Sequence, residues 1–185
     1  MTQEQSELIR KQEEKDRNII EKYVLHNYLH ITNPAHIHFT KDIYDKRDVF
    51  FTATTHNNGE EVYTSYVGEI KERTYPLTFF KSRNWMIELS KLQALFATYE
   101  DTGHIPLYFN IFQNNMIFIW NLNKIDFDLI PYREMLLKGT TSYLTNNKDK
   151  HYYDLPTIYY EDGTEISGIT ALKYTKDETN IVIKK

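Results

Sequence analysis

Residues 48–71 read DVFFTATTHNNGEEVYTSYVGEIK, with Asn58-Gly59 close to the middle. Asn-Gly is the strongest short-range signal for a two-residue hairpin turn, because both turn residues need a positive φ. The residues on either side are rich in Val, Phe, Tyr and Thr, which favour strands. The sequence therefore predicts a β-hairpin whose strands run from Asp48 to Thr55 and from Val62 to Tyr75. Gly68 is the expected place for a bend or bulge in the long second strand.

The predicted register brings charged side chains together. If Asn58 and Gly59 form the turn, Asp48 lies directly opposite Glu69, and Lys71 shares a face with Glu69 because side chains alternate along a strand. Like charges that face each other destabilise a sheet by up to about 1 kcal/mol. A divalent cation between the two carboxylates is therefore expected. Asp45 is a rival ligand, but the register favours Asp48.

Composition limits the class of protein. The 185 residues suffice for one domain with a core, and charged residues make up 26% of the chain. Cysteine is absent, which excludes disulfides and thiolate metal sites and favours a cytoplasmic location. The polar start does not resemble a signal peptide, and the apolar run Met116–Trp120 is too short to span a bilayer.

The charge distribution is uneven. The net charge of −4 argues against a strongly basic, non-specific nucleic-acid binder. The stretch from Glu69 to Lys91 nevertheless contains five basic and three acidic residues. A locally positive rim around the carboxylate pair is therefore expected.

The order of elements predicts one α/β domain with a mixed central sheet flanked by helices. Its core covers about 6–122, and a β-rich C-terminal extension covers about 123–185. Helices are expected over 4–29, over 85–101 with Asn84 as N-cap and Gly103 as stop, and over Pro131–Lys138. Besides the hairpin, strands are expected over His36–Thr40, Ile105–Phe112, Met116–Asn121 and on both sides of Asp162-Gly163.

Asp48 and the later Gly68-Glu69-Ile70-Lys71, set in an α-β-β-β-α-β order, resemble the PD-(D/E)xK nuclease superfamily of restriction endonuclease-like and Holliday junction resolvase-like enzymes. The resemblance covers about 6–122, and Arg47 stands where the superfamily's motif has proline. It implies a restriction endonuclease-like core and a Mg²⁺-dependent (endo)deoxyribonuclease, with Mn²⁺ as a substitute. DNA is the implied partner, no membrane is involved, and a homodimer is left open.

The resemblance also assigns roles. Asp48 and Glu69 would bind Mg²⁺ through hard oxygen ligands, and Lys71 would position or activate the attacking water. Neighbouring carboxylates are expected to raise the pKa of Lys71, which favours a positioning and electrostatic role. From the second helix, Lys91 or Gln93 would approach the phosphate.

Further candidate residues for metal and DNA binding each have an alternative explanation. Asp16, or else Glu13, would reach the metal from the apolar side of the first helix, unless it is solvated. Arg73, Lys81 and Arg83 would contact DNA phosphates, with Phe79-Phe80 stacking on bases or anchoring the loop to the core. The alternative without a function for the motif is a surface salt-bridge ladder, in which Glu69 pairs with Lys71 or Arg47.

Two other functions compete with the nuclease. A zinc site would need four histidines, namely His26, His30, His36 and His38, and it has little support from their spacing. A non-catalytic nucleic-acid-binding or assembly protein with a nuclease-like fold is the stronger alternative.

Overall fold

The computed structural model describes residues 3–41, 45–73, 85–138, 147–157, 159 and 163–185. Helix α1 spans Gln3–Ile19 and continues as a π-helical segment over Ile20–His26. Asn33 then caps a short 3₁₀ turn with its side chain, and strand β1 follows over Ile37–Phe39. The predicted first helix is therefore confirmed.

The hairpin forms with the predicted register. Strand β2 covers Val49–Asn57 and strand β3 covers Glu60–Arg73. The turn residues Asn58 and Gly59 have φ values of 52° and 85°, as a type I′ turn requires. Pairing runs without a break along the whole of β2, so the bulge expected at Gly68 was wrong.

The second helix and the remaining strands follow in chain order. They are β4 Trp85–Glu88, α2 Leu89–Thr102, β5 Ile105–Phe112, β6 Met116–Asn121, β7 Tyr132–Lys138, β8 Asn147–Leu155, β9 Ile169–Tyr174 and β10 Thr179–Lys184. Strands β5 and β6 agree with prediction, and Gly103, at φ 75°, ends α2 as expected.

One helix prediction was wrong in part, and a second was wrong altogether. Residues Trp85–Glu88 form a strand instead of the first turn of α2, and the N-cap position falls on Glu88. The predicted helix over Pro131–Lys138 is replaced by β7, which pairs with β8. In both places pairing with β8 overrides the local helical preference.

Within the described residues, the fold is mixed α/β, with a strand-rich mixed sheet and two helices. The described strands of the main sheet number seven, in the order β1-β2-β3-β5-β6-β9-β10, and among them only β3 and β5 run parallel. A second sheet has the order β4-β8-β7. Strands β9 and β10 continue the main sheet, so the C-terminal third takes part in the central architecture. Within the described residues, no helix is long and apolar enough to cross a membrane.

Two apolar clusters cover the two faces of the main sheet. The end of the first helix packs on one face through Ile20, Val24 and Leu25. Helix α2 and the small sheet pack on the other face, where Trp85 contacts Trp120. The site described below lies where these layers meet the extended end of β3.

Replacing Gly68 with alanine should destabilise the protein by about 2 kcal/mol, since overpacking a core typically costs 1–3 kcal/mol. A Cβ at this position would lie 2.5 Å from Phe109 Cε2 and 3.1 Å from Val49 Cγ1, and both neighbours are fully buried. Urea unfolding measures the change. Val62→Ala, at an exposed position on the same strand, is the control and should shift stability by less than about 0.5 kcal/mol. Equal midpoints for Gly68→Ala and the wild type would contradict the packing role.

Candidate active site

The position of Asp48 follows from the unequal lengths of the hairpin strands. Strand β3 runs on beyond Gly68, the last residue that pairs with β2. Asp48 stands just before β2, where its backbone N–H donates to the Gly68 carbonyl at 2.8 Å. Its Oδ2 accepts a hydrogen bond from the Ile70 N–H at 2.6 Å. The carboxylate is therefore held against the projecting end of β3.

Asp48 and Glu69 come into direct contact. Glu69 is only 6% exposed. Its burial, the charge of Asp48 and a hydrogen bond to that carboxyl group raise the pKa of Glu69 well above its usual value. Lys91 opposes this shift, with its Nζ 2.9 Å from both Glu69 oxygens. The Asp48 and Glu69 carboxyl groups thus lie together, and Lys91 of α2 forms an ion pair with Glu69.

Lys71 lies two residues beyond Glu69 on β3. Desolvation by the surrounding protein, followed by repulsion from Arg73, lowers the pKa of Lys71, although its side chain still reaches the surface. The attraction of Glu69 is too weak to reverse this. The upward shift expected from the sequence was therefore wrong, because desolvation and the neighbouring cations, first of all Arg73 on the same strand, outweigh the attraction of Glu69.

Arg73 acts as an internal clamp. Its Nη2 donates to the Met86 carbonyl at 3.1 Å and to the Tyr108 hydroxyl at 2.9 Å, and its Nε donates to Asn110 Oδ1. Asn110 is completely buried, and within the described residues its Nδ2 has no hydrogen-bond partner. Arg73 therefore ties β3 to β4 and β5, and its predicted contact with DNA stays a prediction.

The acids of α1 face Asp48 but do not complete a ligand cluster. Asp16 is buried, at 9% exposure, and Gln12 Nε2 donates to its Oδ1 at 2.9 Å. Glu13 and Asp16 line a small cavity together with Asp48. However, within the described residues no group of three or more His, Asp or Glu side chains is placed to hold a metal ion. The third carboxylate ligand that the sequence predicts, from Asp16 or else Glu13, is therefore not assembled with Asp48 and Glu69 in the described residues.

The pKa of Asp16 is unusual. Burial, followed by the charge of Glu72, raises it from 3.8 to about 6, and the charge of Asp48 adds to the effect. The predicted placement of Asp16 on the apolar side of the helix is thus correct, and its carboxyl group belongs electrostatically to the site.

The residues that the sequence offered as alternatives, Asp45, Arg47 and Gln93, have other surroundings than the Asp48–Glu69 pair. Asp45 binds Arg47 at 2.8 Å, and the hydrogen bond from Arg47 lowers the pKa of Asp45. Arg47 also donates to Thr98 of α2 at 3.2 Å, so it is not the partner of Glu69. Gln93 is exposed, with no contact to the motif among the described hydrogen bonds.

Some predictions cannot be placed. Lys81, Arg83 and Phe79-Phe80 lie outside the described residues. The four histidines of the zinc alternative form no metal-binding group in the described part of the chain.

Sequence reasoning missed Lys150 of β8. Its Nζ lies 2.8 Å from Glu88 Oε2, while Ser90 Oγ donates to Glu88 Oε1 at 2.9 Å. Burial of Glu88 acts against these bonds, yet they keep the pKa of Glu88 below its usual value. No local pattern marks Lys150, because only the pairing of β4 with β8 brings it to this place.

No protein-family model, curated protein or solved structure matches this chain. The function is therefore inferred from the chemistry of the site and from the order of the elements around it.

In EDTA, Asp16→Asn should make the protein more stable than the wild type at pH 8 by about 2 kcal/mol, and hardly more stable at pH 4. A carboxyl group whose pKa is about 6 in the folded protein and 3.8 in the unfolded chain binds its proton more tightly in the folded state. Wild-type stability therefore falls as the pH rises through that window, and the amide removes this loss. Thermal unfolding measured across pH tests the difference. Glu14→Gln on the exposed side of α1 is the control, and a pH-independent difference for Asp16→Asn would refute the interpretation.

Proposed function

We propose that this protein is a metal-dependent deoxyribonuclease with a restriction endonuclease-like core. The observation that carries the proposal is the contact between the Asp48 and Glu69 carboxyl groups, with Lys71 following on the same strand. The topology supports it. Helix α1 precedes the antiparallel strands β1, β2 and β3, and α2 leads into β5, which is parallel to β3. Apart from β4, which lies between β3 and α2 and belongs to the small sheet, this is the order on which the resemblance to the PD-(D/E)xK superfamily rests.

The donor set fits a hard divalent cation. Two carboxylates that repel each other, one of them buried with a raised pKa, gain most from a cation between them. Mg²⁺ is the proposed cofactor, held by Asp48 and Glu69, with Mn²⁺ as a substitute. When bound, such an ion supplies Lewis acidity and lowers the pKa of its water.

The cationic side chains perform the rest of the chemistry. Lys71 holds the attacking water or the developing negative charge on the phosphate, and its lowered pKa also suits it to accept a proton. Lys91 balances Glu69 from α2 and offers an ammonium to the phosphate. Arg73 keeps the end of β3 in register with β5, which fixes the direction of Lys71.

The second candidate is a nucleic-acid-binding or assembly protein that has no catalytic activity. One observation favours it: the described residues provide two contacting carboxylates and no third ligand placed with them. A cation held by only two carboxylates and water would bind weakly, so metal binding and cleavage discriminate between the two functions. A cytoplasmic location and a homodimer stay predictions from the sequence.

Cleavage of plasmid, linear, branched and single-stranded DNA should require Mg²⁺ or Mn²⁺ and should stop in EDTA. Asp48→Asn and Lys71→Met should each reduce the rate by at least about 100-fold, the usual cost of losing an electrostatic catalytic group. Gel assays under single-turnover conditions measure the rates. Asp177→Asn, at an exposed position, is the matched control and should keep full activity.

Three outcomes separate the hypotheses. Cleavage that persists in EDTA or in Asp48→Asn overturns the metal mechanism. DNA binding without cleavage favours the second candidate. Absence of both binding and cleavage removes the nucleic-acid function altogether.

Lys91→Met should bind Mn²⁺ roughly 5-fold more tightly than the wild type while cleaving more slowly. The Lys91 ammonium contacts both Glu69 oxygens, so it competes with a cation for the same carboxylate. Isothermal titration calorimetry measures the affinity independently of activity. Lys173→Met, at an exposed position on β9, is the control. Weaker Mn²⁺ binding in Lys91→Met would show that Lys91 supports the metal position instead of competing for it.

A further inference from the structure

Strand β5 keeps an amide in the middle of the core. Asn110 is completely buried, and its neighbours in the strand are the buried residues Phe109 and Ile111. Its Oδ1 accepts from Arg73 Nε, whereas its Nδ2 forms no hydrogen bond of normal geometry within the described residues. A buried amide that is only half satisfied costs stability, which an apolar residue of similar size avoids. Positions at which a sequence keeps such a cost are those at which a function is expected.

The pairing of β3 with β5 places Asn110 next to the candidate active site. The two strands run parallel, so that Glu69 pairs with Tyr108 and Lys71 pairs with Asn110. Paired residues of neighbouring strands project to the same face of a sheet. Asn110 is therefore the cross-strand neighbour of Lys71. Because its own side chain is completely buried, it does not touch a substrate.

Arg73 connects Asn110 with Lys71. Its Nη2 donates to the Tyr108 hydroxyl at 2.9 Å, and its Nε donates to Asn110 Oδ1. The guanidinium thus reaches back along the sheet to the two β5 residues that pair with Glu69 and Lys71. It acts electrostatically on Lys71, and it bounds the Lys71 side chain on the side of β5.

We propose that Asn110 is a positioning residue for Lys71, and that it acts through Arg73. The amide oxygen fixes the guanidinium, and the fixed guanidinium directs Lys71 away from β5. Such a boundary matters for a lysine, whose four-carbon side chain is flexible. The inference rests on the proposed function, in which Lys71 holds the attacking water or the developing charge. A purely structural Asn110 would instead hold β3 to β5 without any effect on Lys71.

Cleavage kinetics in Mn²⁺ test the proposal. Asn110→Leu should lower kcat about 10-fold and should change KM by less than about 2-fold, because a displaced catalytic group slows the reaction without weakening substrate binding. The rates are measured well below the unfolding temperature of each variant. Thr98→Val is the matched control, since it removes a buried hydroxyl of α2 that accepts a hydrogen bond from Arg47, and it should keep the wild-type kcat.

A double-mutant cycle tests the path through Arg73. In an Arg73→Met background, Asn110→Leu should change kcat by less than about 2-fold, since the group that it positions is already absent. In a Lys91→Met background, Asn110→Leu should still cost the full factor of about 10. Equal losses in the wild-type and Arg73→Met backgrounds, or an unchanged kcat in Asn110→Leu, would overturn the positioning role and leave the nuclease standing.

Nuclear magnetic resonance of the lysine side chains, reductively methylated with isotope-labelled formaldehyde, gives a readout that needs no activity. The Lys71 resonance is the peak that Lys71→Met removes. It should move by more than its linewidth in both Asn110→Leu and Arg73→Met, whereas the resonance of the exposed Lys173 should stay.

This spectrum separates the inference from the proposed function. If the wild type does not cleave DNA, the nuclease fails. A Lys71 resonance that moves in both variants then still supports the action of Asn110 on Lys71. A Lys71 resonance that stays in Asn110→Leu overturns that action, whether or not the wild type cleaves DNA.

Discussion

The turn at Asn58-Gly59 fixes the pairing of β2 with β3, and the site depends on that pairing. Side chains alternate along a strand, so a shift of one residue would send Asp48 and Glu69 to opposite faces. The contact of Gly68 with Phe109 and Val49 adds a second constraint, since at this point the backbone of β3 lies against the ring. A local turn signal and a close-packed glycine thus secure the same register from two ends of the hairpin.

The candidate site contains carboxyl groups whose burial destabilises the folded protein. Glu69 is buried beside Asp48, and Asp16 is buried near both Asp48 and Glu72. Each arrangement raises a carboxyl pKa, which means that the ionised form is destabilised in the folded protein. Positions at which the sequence breaks the rules of a stable core are those at which a function is expected. Lys91 offsets part of this cost without separating the two acids.

Local signals predict local structure in this chain. The Asn-Gly turn, the apolar run of β5 and the stop at Gly103 were readable because each depends on neighbouring residues. The small sheet was not readable, since β7 and β4 take their conformation from pairing with β8. The direction of the Lys71 pKa shift was mistaken because desolvation, which depends on how the whole fold packs around Lys71, lowers this pKa more than Glu69 raises it.

The C-terminal third contributes strands to both sheets of the described chain. Strands β9 and β10 complete the main sheet beyond β6, where Ala171 and Leu172 enter the two cores. Strand β8 pairs with β4 and delivers Lys150 to Glu88 at the start of α2. A motif of three residues on one hairpin carries the resemblance, but the charges that tune it come from α1, α2 and β8. Besides desolvation, Arg73 of β3, Lys91 of α2 and Lys150 of β8 act on the pKa of Lys71, so this pKa depends on parts of the fold that lie outside the three-residue motif.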